Sequence, residues 1–449
     1  MNGMNSSKKH DKRLMQYSKD TRTIEPGAYY VAIKGLKFDG HDFVLDAIRK
    51  GAAGVVVERD VDLGEAANTV DVIRVDNSEK YLAEQALLKL KTINPVVIAI
   101  TGSIGKTNTK NAITTVLKQQ YPVLSTQGNL NTVLGVALTI LNAEFGAETK
   151  LVLEMGASNK GDIAELCAYF PPDISVVTNV HGVHLSSFGS IEVIAQTKGE
   201  IVDALTREGV ACLNYDDPRV RDMASLHGGR TIFYGKDEQS DIRPDAIGVV
   251  LPLLGDHAVY IALAAYAVGR ALGMPDAVIN RGLSALKPEK GRLFKLPGIA
   301  GMTLIDDSYN ASPASTEAAL AVMRQQAGSR YIAFLGDMLE LGDEALDAHT
   351  RIIRAAVNAA DHVILTGDLM AAAAATLPEA VRERLVLYPT SADIAEGIVA
   401  EQIYKPAQGD VVLVKGSQGG RMERISKVLL RPDIAPEEVL PRQSVSWLT

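Results

Sequence analysis

Short apolar runs alternate along this chain with longer, alanine-rich stretches whose apolar residues have helical spacing. The runs fall at 28–33, 54–57 and 72–75, then at 96–100, 151–154, 174–178 and 211–214, and finally at 302–305, 332–335, 362–365 and 411–414. Strands of this kind alternating with helices are the mark of βαβ units and parallel sheets, so the pattern predicts an α/β protein. The stretch LKFDGHDFVLDAIRKGA reads as a loop leading into a short helix, and the alanine run 371–375 as a helix face.

The runs group into three blocks, and residues 1–93, 94–290 and 291–449 are expected to form three domains, in line with about 150 residues per domain. Hydrophobic residues at 47% and charged residues at 22% describe a soluble α/β enzyme rather than a disordered or fibrous chain. A formal charge of -8 argues against general nucleic-acid binding. Cys167 and Cys212 match neither a metal spacing nor a disulfide framework, which points to buried thiols in a reducing cytoplasm. The basic opening MNGMNSSKKHDKR is followed by no apolar run, and no stretch is long and apolar enough to span a membrane. A monomeric cytoplasmic enzyme is expected.

Candidate chemistry concentrates in four segments. In VVIAITGSIGKTNTKNAITTVL an apolar strand ends in a glycine turn, and a helix begins at Lys106. Gly102, Ser103, Ile104, Gly105 and Asn108 frame a loop whose backbone N–H groups, with the positive end of the helix, suit polyphosphate. Lys106 adds charge, and the Thr107 hydroxyl can ligate Mg²⁺. Ile100 stands where the long phosphate-loop pattern has its first glycine, so the loop is the shorter T-G-x-x-G-K-T form. In LVLEMGASNKGDI, Glu154 closes a strand beside this loop, where a carboxylate meets Mg²⁺. In TNVHGVHLSSFGSIEVIAQTKGEI, two histidines precede Lys198 in a helical segment; taken alone, each histidine reads as a loop residue, because Mg²⁺ prefers oxygen. LIDDSYNASPASTEAAL is a strand followed by two aspartates and a helix capped by Ser312 or Ser315.

Together with GNLNTVLGVALTIL, GRLF, GDMLELG and LVKGSQGGRME, these segments resemble the Mur ligase family from Asp20 to about Ile425. FDGHDF and DDSYNA favour the branch that adds D-alanyl-D-alanine. The resemblance implies an N-terminal UDP-sugar domain, a central P-loop ATPase domain and a C-terminal Rossmann-like domain. It also implies ATP and Mg²⁺, a UDP-muramoyl-peptide and D-alanyl-D-alanine as substrates, and amide formation through an acyl phosphate. Carried over by position, it gives His184 and a carbamylated Lys198 as ligands of a second Mg²⁺, Arg292 and Asn310, with Asp307 nearby, as nucleotide contacts, and Asn129 and Asn131 as substrate-proximal residues. Lys415 and Ser417 stand open between a second-substrate role and a structural one. The chain departs from the pattern at Ala258 and Ile261, where asparagines are usual, and at Gln418, where arginine is usual. Three alternatives stay open: a paralogue joining another carboxylate to another amine, a small-molecule kinase, and a non-catalytic nucleotide-binding regulator.

Overall fold

The computed structural model describes residues 15–35, 38–128, 130–182 and 185–443. Among these described residues, sixteen strands build three sheets. The first sheet contains β1 (Tyr17–Ser18), β2 (Tyr29–Val31), β3 (Gly54–Val57) and β4 (Asp71–Arg74), all parallel and paired in sequence order. The helix Ser78–Ile93 follows, opened by the Asn77 side chain accepting from the Lys80 N–H. Its buried face, including Leu82, Ala86 and Leu90, shares one core with Leu134 and Ile140 of the central unit.

The central sheet comprises β5 (Val96–Thr101), β6 (Val123–Ser125), β7 (Lys150–Glu154), β8 (Ile174–Val177), β9 (Val210–Asn214) and β10 (Arg230–Tyr234), in the order β10-β9-β8-β5-β7-β6. Every pairing is parallel. The chain leaves β5 toward the β6 side and later returns to its other side at β8. A crevice therefore opens beyond the carboxyl end of β5, where open α/β sheets bind ligands. Register places Ile100 opposite both Glu154 and Val176, so β7 and β8 also deliver their ends to this crevice.

The third sheet comprises β11 (Phe294–Pro297), β12 (Thr303–Asp307), β13 (Arg330–Gly336), β14 (His362–Thr366), β15 (Leu385–Tyr388) and β16 (Asp410–Lys415), in the order β11-β12-β16-β13-β14-β15. Only the β11 pairing is antiparallel. Register sets Asp307 beside Lys415. Apolar cores cover both faces of this sheet.

The α/β class and the parallel pairing agree with the pattern of apolar runs. Five strands were not anticipated from it: β1, β6, β10, β11 and β15. All five are edge strands. An edge strand is covered less fully, so it need not be a continuous apolar run; β10 fully buries only Ile232 and Tyr234, and β11 carries Lys295 and Pro297. Cys167 and Cys212 are buried free thiols, and burial pushes both up to about 12. Among the described residues, no helix is long and apolar enough to cross a membrane.

Candidate active site

Between Thr101 at the end of β5 and the helix Lys106–Leu117 the chain turns through Gly102 (φ +146°) and Gly105 (φ +83°), both in backbone conformations that L side chains rarely adopt. Residues beyond β8 brace the turn. The Ser103 N–H donates to Asn179 O and the Ile104 N–H to Asn179 Oδ1, each at 2.9 Å. Thr178 Oγ1 and Asn179 Nδ2 both donate to Ile104 O at 2.9 Å. The amides of Ser103 and Ile104 are therefore committed inward. The N–H groups of the first helical turn, which have no intrahelical acceptor, are the loop donors suited to an anion.

A Cβ on Gly102 would lie 1.9 Å from Thr178 Oγ1. Gly102→Ala must displace the brace and hold an unfavourable φ, so it is expected to cost about 2–4 kcal/mol of stability. Urea unfolding of the variant measures this. A loss below about 1 kcal/mol would mean that the loop is not held in the shape described.

The Lys106 ammonium is half-buried and donates to Gly102 O at 2.8 Å and Ser103 O at 3.2 Å. Burial lowers its pKa, Glu154 opposes that fall and Arg292 adds to it. One helical turn on, the buried Lys110 donates to Thr126 O at 2.6 Å. Lys110 was missed in the sequence, although its spacing from Lys106 places both on one helix face.

Glu154 is 2% exposed. Its Oε1 accepts from Asn131 Nδ2 at 3.0 Å, while Oε2 is buried without a hydrogen-bond partner. A buried carboxylate oxygen left without a donor suits a hard cation. Asn131, expected to lie near substrate, orients this carboxylate. Asn108 also lines the cleft, and its Oδ1 is buried and unpartnered.

Lys198 lies within the helix Ile191–Asp203, whose N-terminus is capped by Ser190. It is 2% exposed, and its ammonium stands 5.9 Å from the centre of the Phe188 ring. Burial first, then repulsion from Lys106, pulls its pKa down to about 7 against the opposing pull of Asp162 and Glu200. Asn129 and His184 lie outside the described residues.

From the third sheet, Arg292 lies 4.2 Å over the Tyr309 ring. Asp307 lines the same cleft as Arg292 and also braces its own domain: Oδ2 accepts from Lys415 Nζ at 2.6 Å and Oδ1 from the Leu293 N–H at 3.1 Å. Lys415 donates as well to Asn310 O at 3.0 Å. Asp307 and Lys415 thus tie the Arg292 segment and the Asn310 loop to neighbouring strands. Ser417 Oγ accepts from the Leu339 N–H at 2.9 Å, joining the GSQGG and GDMLELG loops. Ser312 caps the helix Pro313–Gln325 in a reciprocal pair with Ser315. Ala258 and Ile261 are buried in the helix His257–Ala271, and Gln418 is exposed.

Both halves face one cleft of about 880 Å³, lined by Lys106, Thr107, Glu154, Arg292, Tyr309 and Asn310 among others. A phosphate loop, an open carboxylate oxygen, a buried lysine of low basicity nearby and an arginine from the facing domain suit transfer of a phosphoryl group.

Comparison with known proteins agrees with this geometry. Residues 16–92 match "Mur ligase family, catalytic domain", residues 100–269 match "Mur ligase middle domain", and residues 291–418 match "Mur ligase, glutamate ligase domain". The chain belongs to the Mur ligase family, with its three-domain architecture. It is 33% identical over 435 residues to the UDP-N-acetylmuramoyl-tripeptide--D-alanyl-D-alanine ligase of Bacillus subtilis (strain 168), covering 93% of each chain. Among solved structures it is similar to MurF from Acinetobacter baumannii, with 28% identity and a TM-score of 0.81 over 92% of this chain and 93% of that one. It is likewise similar to MurF ligase from Thermotoga maritima in complex with ADP, with 29% identity and a TM-score of 0.78 over 92% of this chain and 97% of that one.

Proposed function

We propose that this protein is an ATP-dependent ligase joining D-alanyl-D-alanine to a UDP-N-acetylmuramoyl-tripeptide in peptidoglycan precursor synthesis. Similarity to MurF enzymes over nearly the whole chain supports the substrate pair, and the shared cleft supports the chemistry. A carboxylate is a poor electrophile; phosphorylation gives it a leaving group, which the dipeptide amine then displaces. Because two anions must meet for the first step, charge neutralisation carries most of the catalysis.

In this reading the helix N-terminus and Lys106 hold the ATP phosphates, and Arg292 with the Asn310 loop contacts the nucleotide from the facing domain. Thr107 and Glu154 would hold one Mg²⁺, and His184 with a carbamylated Lys198 would hold a second. Bound there, these ions would supply charge neutralisation between the phosphates and the carboxylate. Domains of residues 1–93, 94–290 and 291–449, a monomer, and action in the cytoplasm complete the reading.

The test is ADP release by purified protein with each substrate omitted in turn. Turnover should require the muramoyl tripeptide and rise with D-alanyl-D-alanine over D-alanine or L-amino acids. Phosphate transfer without any amine would favour a kinase. Turnover with another carboxylate and no muramoyl peptide would replace the substrate pair while keeping the ligase chemistry.

A further inference from the structure

The segment 436–443 follows the family-matched residues 291–418 and supplies no side chain described above, yet it grips the piece of chain that carries Arg292. Lys290 Nζ donates to Glu437 O at 2.6 Å. Pro441 packs on Gly291, where an added Cβ would lie 2.9 Å from Pro441 Cγ and 3.0 Å from the Tyr309 nitrogen. Gly291 has φ +71°, and its carbonyl accepts from the Tyr309 N–H at 3.0 Å.

Arg442 completes the grip. Its side chain is 5% exposed and pairs at 2.8 Å with Glu423, which is 1% exposed. The same guanidinium donates to Tyr309 O at 3.1 Å and to Ser308 O. It stands 5.8 Å from the centre of the Tyr309 ring that Arg292 covers at 4.2 Å. Arg442 does this from a left-handed backbone conformation, φ 55°, which a non-glycine residue keeps only where its surroundings enforce it. A residue needed only to close a core would be met more simply by an apolar side chain. A guanidinium fork fixes the Ser308–Tyr309 backbone in one position, and Tyr309 is the platform on which Arg292 rests.

We propose that residues 436–443 are a strap that positions Arg292 for the nucleotide, with Arg442 as the positioning residue acting through Tyr309. The inference rests on the reading of the cleft as a nucleotide site. Arg442 does not line that cleft, so its effect should pass through Arg292 and fall on ATP rather than on the dipeptide.

A double-mutant cycle tests it, using the full chain and steady-state ligation with ATP and D-alanyl-D-alanine varied separately. Arg442→Ala should raise KM for ATP about tenfold, with kcat and the dipeptide KM within about twofold of the parent. Arg442→Lys, which keeps the charge but loses the fork, should fall between. In an Arg292→Ala background, Arg442→Ala should add less than about a twofold further change. If Arg442→Ala does not fold by circular dichroism, Arg442→Lys and Pro441→Ala carry the same comparison against Arg292→Ala. Multiplying effects in the double variant, equal increases in both KM values, or an unchanged KM for ATP would overturn the strap. Absence of both ADP binding and ATP-dependent turnover in the parent protein would instead overturn the nucleotide reading on which it rests.

Discussion

Lys106→Ala is expected to lower ligation on the order of 10²- to 10³-fold while the protein stays folded. The ammonium sits at the start of the phosphate-loop helix and bonds only to carbonyl oxygens of its own loop, Gly102 and Ser103. Its removal takes away two hydrogen bonds and one desolvated charge, which offset each other, so stability should change by no more than about 1 kcal/mol. No comparable offset exists during phosphoryl transfer. There the γ-phosphate and the substrate carboxylate approach as like charges, and the lost cation leaves that repulsion uncompensated. Lys106→Arg should not restore activity, because a planar fork of different reach replaces a compact point charge. Thermal unfolding and ADP release measured on the same preparation decide the matter: a folded Lys106→Ala protein within about tenfold of parent turnover would remove Lys106 from the phosphate site.

How the loop works was only partly legible in the sequence. The glycines, the lysine and the helix start could be read from TGSIGKT, because each is a local requirement of backbone geometry or charge. The brace could not, since Thr178 and Asn179 reach the loop from a strand about 75 residues away. Asn131 shows the same limit. The segment that carries it was recognised, but its bond to Glu154 depends on how the loop after β6 folds back over the end of β7. Asp307 was placed near the nucleotide by the family resemblance, and only the β12–β16 register shows that its oxygens also hold Lys415 and the Leu293 N–H. Interior strands were legible because they are buried on both faces, whereas five of the six edge strands were not, β4 being the exception. Side chains whose role is to hold another functional group leave no pattern of their own.

Lys198 is the position where burial itself prepares chemistry, and Lys198→Ala is expected to reduce Mg²⁺-dependent turnover on the order of 10²-fold or more. A lysine ammonium there would repel a metal ion as well as Lys106. With its pKa pulled down to about 7, a far larger share of the amine is neutral near neutral pH than in an ordinary lysine. The neutral nitrogen can attack carbon dioxide: a C–N bond forms, one C=O electron pair moves onto oxygen, and the nitrogen releases a proton. The product is an anionic oxygen donor of the kind Mg²⁺ binds. The pH dependence follows with a definite sign. The folded value lies below the ordinary 10.5, so the unfolded chain holds a proton that the folded chain lacks between about 7 and 10.5, and the unmodified protein gains stability as pH rises through that window. Carbamate formation likewise increases above about 7 and is lost on acidification. Labelled bicarbonate should give a carbamate carbon resonance in the parent that is absent from Lys198→Ala, and buffer stripped of carbon dioxide should lower activity reversibly in the parent alone. A Lys198→Ala enzyme with turnover within about threefold of the parent across Mg²⁺ concentrations would return this residue to the role of a buried helix lysine.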